Sequence, residues 1–232
     1  MPRNELFGAF ALTSALHRAS LAFVLAPAIV SPAAAEILVA GAAPMTGRLS
    51  WYGENWERGA GLAVRDLNTK GGLLGQRVEL ILGDDFCDPE QAVAAVVSGR
   101  TCSEAASAAA PVYEAAGVIM IAPSASNPAL TDSGWPNVFR TFGRDDLQGR
   151  IAAEHLARHH ASDRIAIVFT PGVYSRGLAA EAKKRLNELG VQEVAFLGID
   201  PASANWSALA DGLAKQGVNV VYSSAHTPDT AL

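Results

Sequence analysis

The sequence has no excess of positive charge. Its 232 residues carry 18 Lys and Arg against 23 Asp and Glu, which gives a net charge of −5. A nucleic-acid partner would require a basic patch, so this charge balance argues against nucleic-acid binding. The composition, 50% hydrophobic and 18% charged, also lacks the signs of a disordered or repetitive chain. It is typical of a globular protein with one large or two small domains.

Sequence signatures of common enzymes are also absent. The chain has neither the glycine fingerprint of dinucleotide-binding folds nor the G-x-S-x-G turn of serine hydrolases. The glycine-rich residues 71–75 follow a predicted helix rather than a strand, and they lack the Lys–Ser/Thr ending of a phosphate-binding loop. We therefore expect a protein that is not an enzyme and uses no cofactor. An α/β enzyme is the alternative, which a hydrolase activity screen would test.

The N-terminus has the pattern of an export signal. Arg3 and Arg18 precede the apolar residues 21–30, and small residues occupy the −3 and −1 positions of a cut before Glu36. The apolar run is too short to span a bilayer, which takes about 20 residues, so an uncleaved anchor is the weaker alternative. The pattern predicts a signal peptide that is cleaved after Ala35, and a periplasmic location.

Cysteine occurs at only two positions, Cys87 and Cys102. In an exported chain, an even number of cysteines most simply forms disulfides, and this one would close a loop of about 15 residues. Two buried thiols are the alternative. Because neither cysteine lies near the predicted cleavage site, no lipid anchor is expected.

Two groups of side chains have the chemistry of metal ligands. The first group is three aspartates within residues 84–88. They do not follow the spacing of a calcium loop, and Asp88 is expected to cap a helix that begins at Pro89. The second group is three histidines within residues 155–160, two of which have i, i+4 spacing on a predicted helix. No carboxylate or cysteine has the spacing to complete a metal site with them. We therefore expect no metal site. The residues concerned are Asp84, Asp85 and Asp88, and His155, His159 and His160.

Short apolar runs alternate with amphipathic stretches along the chain after Glu36. Apolar runs of this length, bounded by glycine or proline, indicate buried strands of a parallel sheet. The alternation predicts an α/β fold whose parallel sheets are flanked by helices. The predicted strands are residues 37–43, 78–82, 118–122, 137–141, 164–169, 194–199 and 218–222.

Helix boundaries and faces are predicted from glycines and from hydrophobic spacing. Gly53 and Gly177 are expected to open two of the helices, which leaves Tyr52 and Tyr174 in the preceding loops. A third helix is predicted over residues 145–160. The residues predicted to share one side of that helix are Ile151, Ala152, His155, Leu156 and His159.

Two polar turns are expected at the carboxyl ends of strands, around Ser103 and around residues 124–126. Open α/β sheets usually bind their ligands at this edge. Two hydroxyls and free backbone N–H groups at such a place would suit a small carboxylate.

Several motifs occur in a fixed order along the chain. They are Tyr52–Gly53–Glu54, Asn68 with Gly71–Gly72, Asp84–Asp85, Cys87–Asp88–Pro89, Thr101–Cys102–Ser103, residues 123–130, and Tyr174 with Gly177. In this order and spacing they resemble the periplasmic leucine/isoleucine/valine-binding proteins, the receptors of branched-chain amino-acid ABC transporters.

The resemblance implies a type I periplasmic binding protein fold, in which two Rossmann-like lobes with flanked parallel sheets clamp the ligand. The signal peptide would cover residues 1–35, the first lobe residues 36–142 and the second lobe residues 143–232. It also implies that Cys87 pairs with Cys102. Against the family pattern, we expect a C-terminally truncated chain with an incomplete second lobe and a short internal deletion between the cysteines.

The resemblance also implies a set of ligand-binding residues. In the family, the matching serines hold the ligand's α-carboxylate, a backbone segment meets the carboxylate and the ammonium, and two tyrosines enclose the side chain. One matching position usually holds a tyrosine but is a histidine here, and the family's acidic residue for the ammonium lies beyond Leu232. The residues are Ser103 and Ser126, the segment Ser124–Ala125, the tyrosines Tyr52 and Tyr174, and His226. Capping, turn and packing roles are the alternatives for each of them.

From these observations we expect an extracytoplasmic solute-binding protein of an ABC transporter, which binds branched-chain or related amino acids for import. Its partners would be the amino-acid ligand and the membrane permease. The ligand-binding domain of an amino-acid or amide sensor with the same fold is the alternative function.

Overall fold

A computed structural model describes residues 36–94 and 101–226 of the chain. The predicted signal peptide lies outside the described residues, as does much of the segment with the predicted internal deletion. Within the described ranges, no helix is both long and apolar enough to cross a membrane. The strands are β1 Ile37–Ala43, β2 Val78–Asp84, β3 Met120–Ala122, β4 Val138–Arg140, β5 Ile165–Phe169, β6 Ala195–Gly198 and β7 Val220–Ser223. The helices are α1 Ser50–Thr69, α2 Pro89–Ala94, α3 Ser103–Ala115, α4 Ala129–Asp132, α5 Asp145–His159, α6 Val173–Glu188 and α7 Trp206–Lys215.

The strands form three parallel sheets, and helices make the connections between sequential strands. Strand β1 pairs with β2, β3 pairs with β4, and β5 lies between β6 and β7. Parallel pairing with helical crossovers is the α/β arrangement predicted from the alternation of apolar runs and amphipathic stretches. The boundary between two lobes at residue 142 stays a prediction.

The first core is built around helix α3, whose buried side is almost entirely alanine. Four of its alanines are at most 1% exposed, and Tyr113 and Met120 of β3 are fully buried beside them. Because alanine adds little bulk, the helix packs closely on its neighbours, and this packing fixes the position of the helix N-terminus. The four alanines are Ala105, Ala106, Ala109 and Ala110.

A disulfide joins the loop after β2 to the start of α3. Cys87 and Cys102 are bonded, as predicted, and their Cα atoms are 5.5 Å apart. In the same loop, the Asp88 carboxylate accepts the backbone N–H groups of Glu90 and Gln91, which confirms that Asp88 caps α2. The disulfide therefore ties this capped loop to the residue that directly precedes α3.

The predicted starts of α1 and α6 are wrong. Helix α1 begins at Ser50 and α6 at Val173, so Tyr52 and Tyr174 lie in first helical turns rather than in loops. The glycines that suggested later starts serve close packing instead. A side chain at Gly53 would collide with the Pro44 carbonyl, and one at Gly177 would lie 2.7 Å from the Asn127 amide.

The predicted side of α5 is buried only in part: Leu156 belongs to a hydrophobic core and is 6% exposed. Ile151 is 58% exposed, whereas Gly149 and Ala153 are buried against α6. A Cβ atom at Gly149 would lie 2.8 Å from the Ala182 backbone nitrogen, so the glycine allows the two helices to approach closely. A search for large apolar residues does not detect a contact made by glycine and alanine.

We expect Asn68→Ala to lower the free energy of unfolding by about 1–3 kcal/mol. The Asn68 amide donates to the Val78 carbonyl at 2.8 Å and accepts the Val78 N–H at 2.8 Å, so it fixes the start of β2 against α1. Removing the amide leaves both backbone groups of Val78 without these partners. Urea denaturation would measure the change, with Asn55→Ala on the exposed side of α1 as the control. Equal small effects of the two variants would contradict this role for Asn68.

Candidate functional site

Segments from distant parts of the sequence enclose one cavity of about 200 Å³. The first turns of α1 and α6, the start of α3, the turn after β3 and the segment after β7 all contribute to it. Its volume is below the range usual for drug-sized ligands, about 300–1,000 Å³, so it suits a small metabolite. The lining residues are Tyr52, Thr101, Cys102, Ser103, Glu104, Ser124, Ser126, Phe142, Gln148, Tyr174 and His226.

Six of the seven predicted ligand-binding residues therefore come together. The exception is Ala125, whose side chain is 1% exposed and belongs to the core around α3. Ala125 was predicted to contact the ligand through its backbone atoms, so the burial of its side chain does not test that prediction. The ligand-binding roles of all seven residues stay predictions.

Ser103 connects the two polar turns rather than capping its own helix. Its hydroxyl accepts the backbone N–H groups of Ser126 and Asn127, each at 3.2 Å, while Cys102 occupies the N-cap position without a side-chain hydrogen bond. A serine oxygen that accepts two hydrogen bonds still has its own proton to donate. The Ser103 O–H can thus serve a carboxylate in the cavity, whereas the Ser126 N–H already has a partner.

Ser124 has a different environment. Its hydroxyl donates to the Thr101 carbonyl at 2.7 Å, which binds the turn after β3 to the residue that precedes the disulfide. This bond orients the turn, and it uses the proton that Ser124 would otherwise offer to a ligand.

Three of the aromatic rings that line the cavity contact one another through His226. The His226 ring stacks on Tyr174 with centroids 4.9 Å apart, and it meets Tyr52 edge-on at 6.0 Å. Burial raises the pKa of Tyr52, and burial with the nearby charge of Asp145 raises the pKa of Tyr174 to about 12. Burial lowers the pKa of His226. All three rings are therefore uncharged at neutral pH, which suits contact with an apolar group.

Sequence reasoning missed Glu104, which lines the cavity beside Ser103. Its Oε1 atom accepts the Tyr174 backbone N–H at 3.0 Å, and the nearby Asn127 amide donates to the Val173 carbonyl at 3.1 Å. These two bonds link the start of α3 and the turn after β3 to the first turn of α6. The sequence shows an acidic residue in the first turn of α3, but it gives no sign of a partner 70 residues away.

Sequence reasoning also missed the environment of Asp145, the first residue of α5. Its side chain is fully buried, and the Ser126 hydroxyl lies beside its carboxylate. Its backbone N–H donates to the Ser126 carbonyl at 3.0 Å, so it lies directly behind the serine turn. Burial raises the pKa of Asp145 to about 6, while the nearby Ser126 hydroxyl and Arg140 oppose the shift.

The candidate metal ligands do not form a metal cluster. Residues 36–94 and 101–226 contain no group of three or more His, Cys, Asp or Glu side chains arranged to hold an ion. The rings of His155 and His159 are 4.7 Å apart, and His160 instead contacts the Asp163 carboxylate at 2.7 Å.

The sequence model of the periplasmic binding protein family matches residues 36–232. A Leu/Ile/Val-binding protein homolog from Brucella abortus is 36% identical over 208 residues, which cover 85% of this chain and 56% of that protein. A leucine-, isoleucine-, valine-, threonine- and alanine-binding protein from Pseudomonas aeruginosa is 35% identical over 231 residues, or 95% of this chain and 62% of the relative.

The fold is similar to that of a leucine-binding protein from Thermotoga maritima. The TM-score is 0.69 at 26% identity, and the match covers 80% of this chain and 55% of the other. These matches confirm the resemblance and the fold class predicted from the motifs. All three proteins are named for binding, as expected for a chain that is not an enzyme. The chain spans between 56% and 62% of the length of the two curated relatives.

Proposed function

Because the chain belongs to the periplasmic binding protein family, we propose that it binds branched-chain or related amino acids and delivers them to an ABC transporter permease. The proposal includes a periplasmic location after cleavage of a signal peptide at Ala35. The curated relatives are named for binding leucine, isoleucine and valine, which supports this ligand class.

The observation that carries the proposal is the convergence of six predicted ligand-binding residues on one small cavity. Ser103 provides a hydroxyl group for a carboxylate, because its O–H proton is not used by the bonds that its oxygen accepts. The rings of Tyr52, Tyr174 and His226, which are uncharged at neutral pH, also line the cavity. A small molecule with a carboxylate at one end and an apolar group at the other suits this combination of groups.

The arrangement also explains how a ligand would stabilise the protein. The start of α3 and the first turn of α6 both line the cavity. These parts already meet through the Glu104 and Asn127 hydrogen bonds. A ligand that contacts both parts adds to these links, so binding should raise the stability of the folded protein.

We expect Ser103→Ala to weaken leucine binding by about 10- to 100-fold, because a hydrogen bond to a charged group contributes about 1.5–3 kcal/mol. Isothermal titration of the full chain with leucine, isoleucine and valine would measure the loss. The matched control is Ser107→Ala on the same helix, because the Ser107 hydroxyl is buried without a hydrogen-bond partner among the described residues.

If the control variant weakens binding as much as Ser103→Ala, the serine assignment is wrong. If the unaltered protein gives neither heat nor a thermal shift with any of the three amino acids, the proposed ligand class is wrong.

A further inference from the structure

We propose that Glu104 makes the cavity selective for ligands that carry a positively charged group, an inference that rests on the proposed function. The resemblance assigns the ligand's ammonium to an acidic residue beyond Leu232. Glu104 is a different carboxylate, on the first turn of α3, and it lies in the cavity itself.

The position of the Glu104 carboxylate is fixed from two sides. Its Oε1 atom accepts the Tyr174 N–H at 3.0 Å, which is one of the N–H groups left without an intrahelical partner at the start of α6. The backbone passes close to the same oxygen at Gly172, where a Cβ atom would lie 2.6 Å from Oε1. The N-terminal turns of α3 and α6 both favour a negatively charged group at this place.

The described residues that line the cavity carry a net negative charge. Of the described residues that line it, Glu104 is the one carboxylate, and none is a lysine or an arginine. Arg48 borders a neighbouring cavity of about 480 Å³ that shares Glu104 and His226. Since burial lowers the pKa of His226, this ring adds no positive charge at neutral pH. A ligand with only a carboxylate would therefore meet a like charge in a partly desolvated site.

A zwitterion avoids this cost. Ser103 and Glu104 are consecutive residues at the start of α3, so a hydroxyl for the ligand carboxylate and a carboxylate for its ammonium lie side by side. The Oε1 atom of Glu104 accepts the Tyr174 N–H, and the second carboxylate oxygen can accept a hydrogen bond from the ligand ammonium. The site thus discriminates by a repulsive element against anions as well as by an attractive one for ammonium groups.

The test compares L-leucine with 4-methylpentanoate, which has the same carboxylate and carbon skeleton but no ammonium. Titrations at pH 7.5 would use the full chain, Glu104→Gln, and the control Glu114→Gln from the other end of α3. Glutamine removes the charge but keeps an oxygen that can accept the Tyr174 N–H. We expect the unaltered protein to prefer leucine by about 100-fold or more, and Glu104→Gln to reduce that preference by at least about tenfold. Glu114→Gln should leave it unchanged.

The other outcomes separate the two proposals. If Glu104→Gln weakens both ligands equally, Glu104 only links α3 to α6 and the inference is overturned, while the proposed function stands. If the unaltered protein binds both ligands equally well, the inference is also overturned, and this comparison does not depend on the folding of any variant. If the unaltered protein binds neither ligand, the proposed function fails and takes the inference with it.

Discussion

Asp145→Asn is expected to raise the free energy of unfolding at pH 7.5 by about 2–3 kcal/mol. The carboxylate is fully buried, and burial raises its pKa to about 6, against about 3.9 in an unfolded chain, although the Ser126 hydroxyl favours the ionised form. Each unit of pKa difference corresponds to about 1.4 kcal/mol. Asparagine has nearly the same shape and carries no charge, so the variant avoids the cost of burying the ionised group.

The gain in the free energy of unfolding should increase as the pH rises. Below about pH 4, the carboxyl group is protonated in the folded and unfolded states alike, and its charge has no effect on stability. As pH rises through 4 to 6, the unfolded state loses its proton first, so the unaltered protein loses stability and Asp145→Asn does not. The neighbouring charges act on the same group: Arg140 lowers the pKa of Asp145, whereas Asp146 and Glu104 raise it.

Asp146→Asn is the matched control, because the adjacent carboxylate has the opposite environment. Asp146 accepts hydrogen bonds from Arg144, which lower its pKa, and it lies partly exposed at the surface. Its removal should therefore give no gain at neutral pH. Urea denaturation of both variants from pH 4 to pH 8 would test the contrast. A loss of stability in Asp145→Asn at pH 7.5, or a gain that is the same at pH 4, would show that burial does not penalise the ionised group.

The strands could be predicted because they depend on local patterns. The run Ile37–Ala43 is apolar throughout and ends before a proline, and β1 has these same bounds. Ser103 and Ser126 were both expected at the carboxyl ends of strands. The Ser126 turn follows β3, but no strand among the described residues ends directly before Ser103, which is the first residue of α3. The hydrogen bond between the two residues therefore depends on how α3 packs beside the turn after β3, not on paired strand ends.

The charges of the site could not be predicted in the same way. Glu104 resembles an ordinary acidic residue in a first helical turn, and Asp145 resembles a residue at a helix start. Their roles depend on contacts with Tyr174 and Ser126, which only the tertiary packing brings near. The close approach of α5 and α6 at Gly149 was missed for a similar reason, because a contact without large side chains leaves no hydrophobic pattern.

Replacing both cysteines by alanine is expected to lower the free energy of unfolding by about 3 kcal/mol. The Cys87–Cys102 bond closes a loop with a sequence separation of 15, and the chain-entropy model gives about this value for such a loop. A domain of ordinary stability has about 5–15 kcal/mol in total, so the loss would be large. Reductant should lower the stability of the unaltered protein by a similar amount and leave the double variant unchanged.

The same change should also weaken ligand binding, because the disulfide ends at the cavity. Thr101, Cys102 and Ser103 all line it, and the Thr101 carbonyl accepts the Ser124 hydroxyl. Without the bond to Cys87, this segment gains freedom that a ligand must remove again on binding. We expect a loss of leucine affinity that reductant reproduces in the unaltered protein. Alkylation of the protein without reductant provides a check. If both cysteines are alkylated, the disulfide is absent, and reductant should change neither the stability nor the leucine affinity of the unaltered protein.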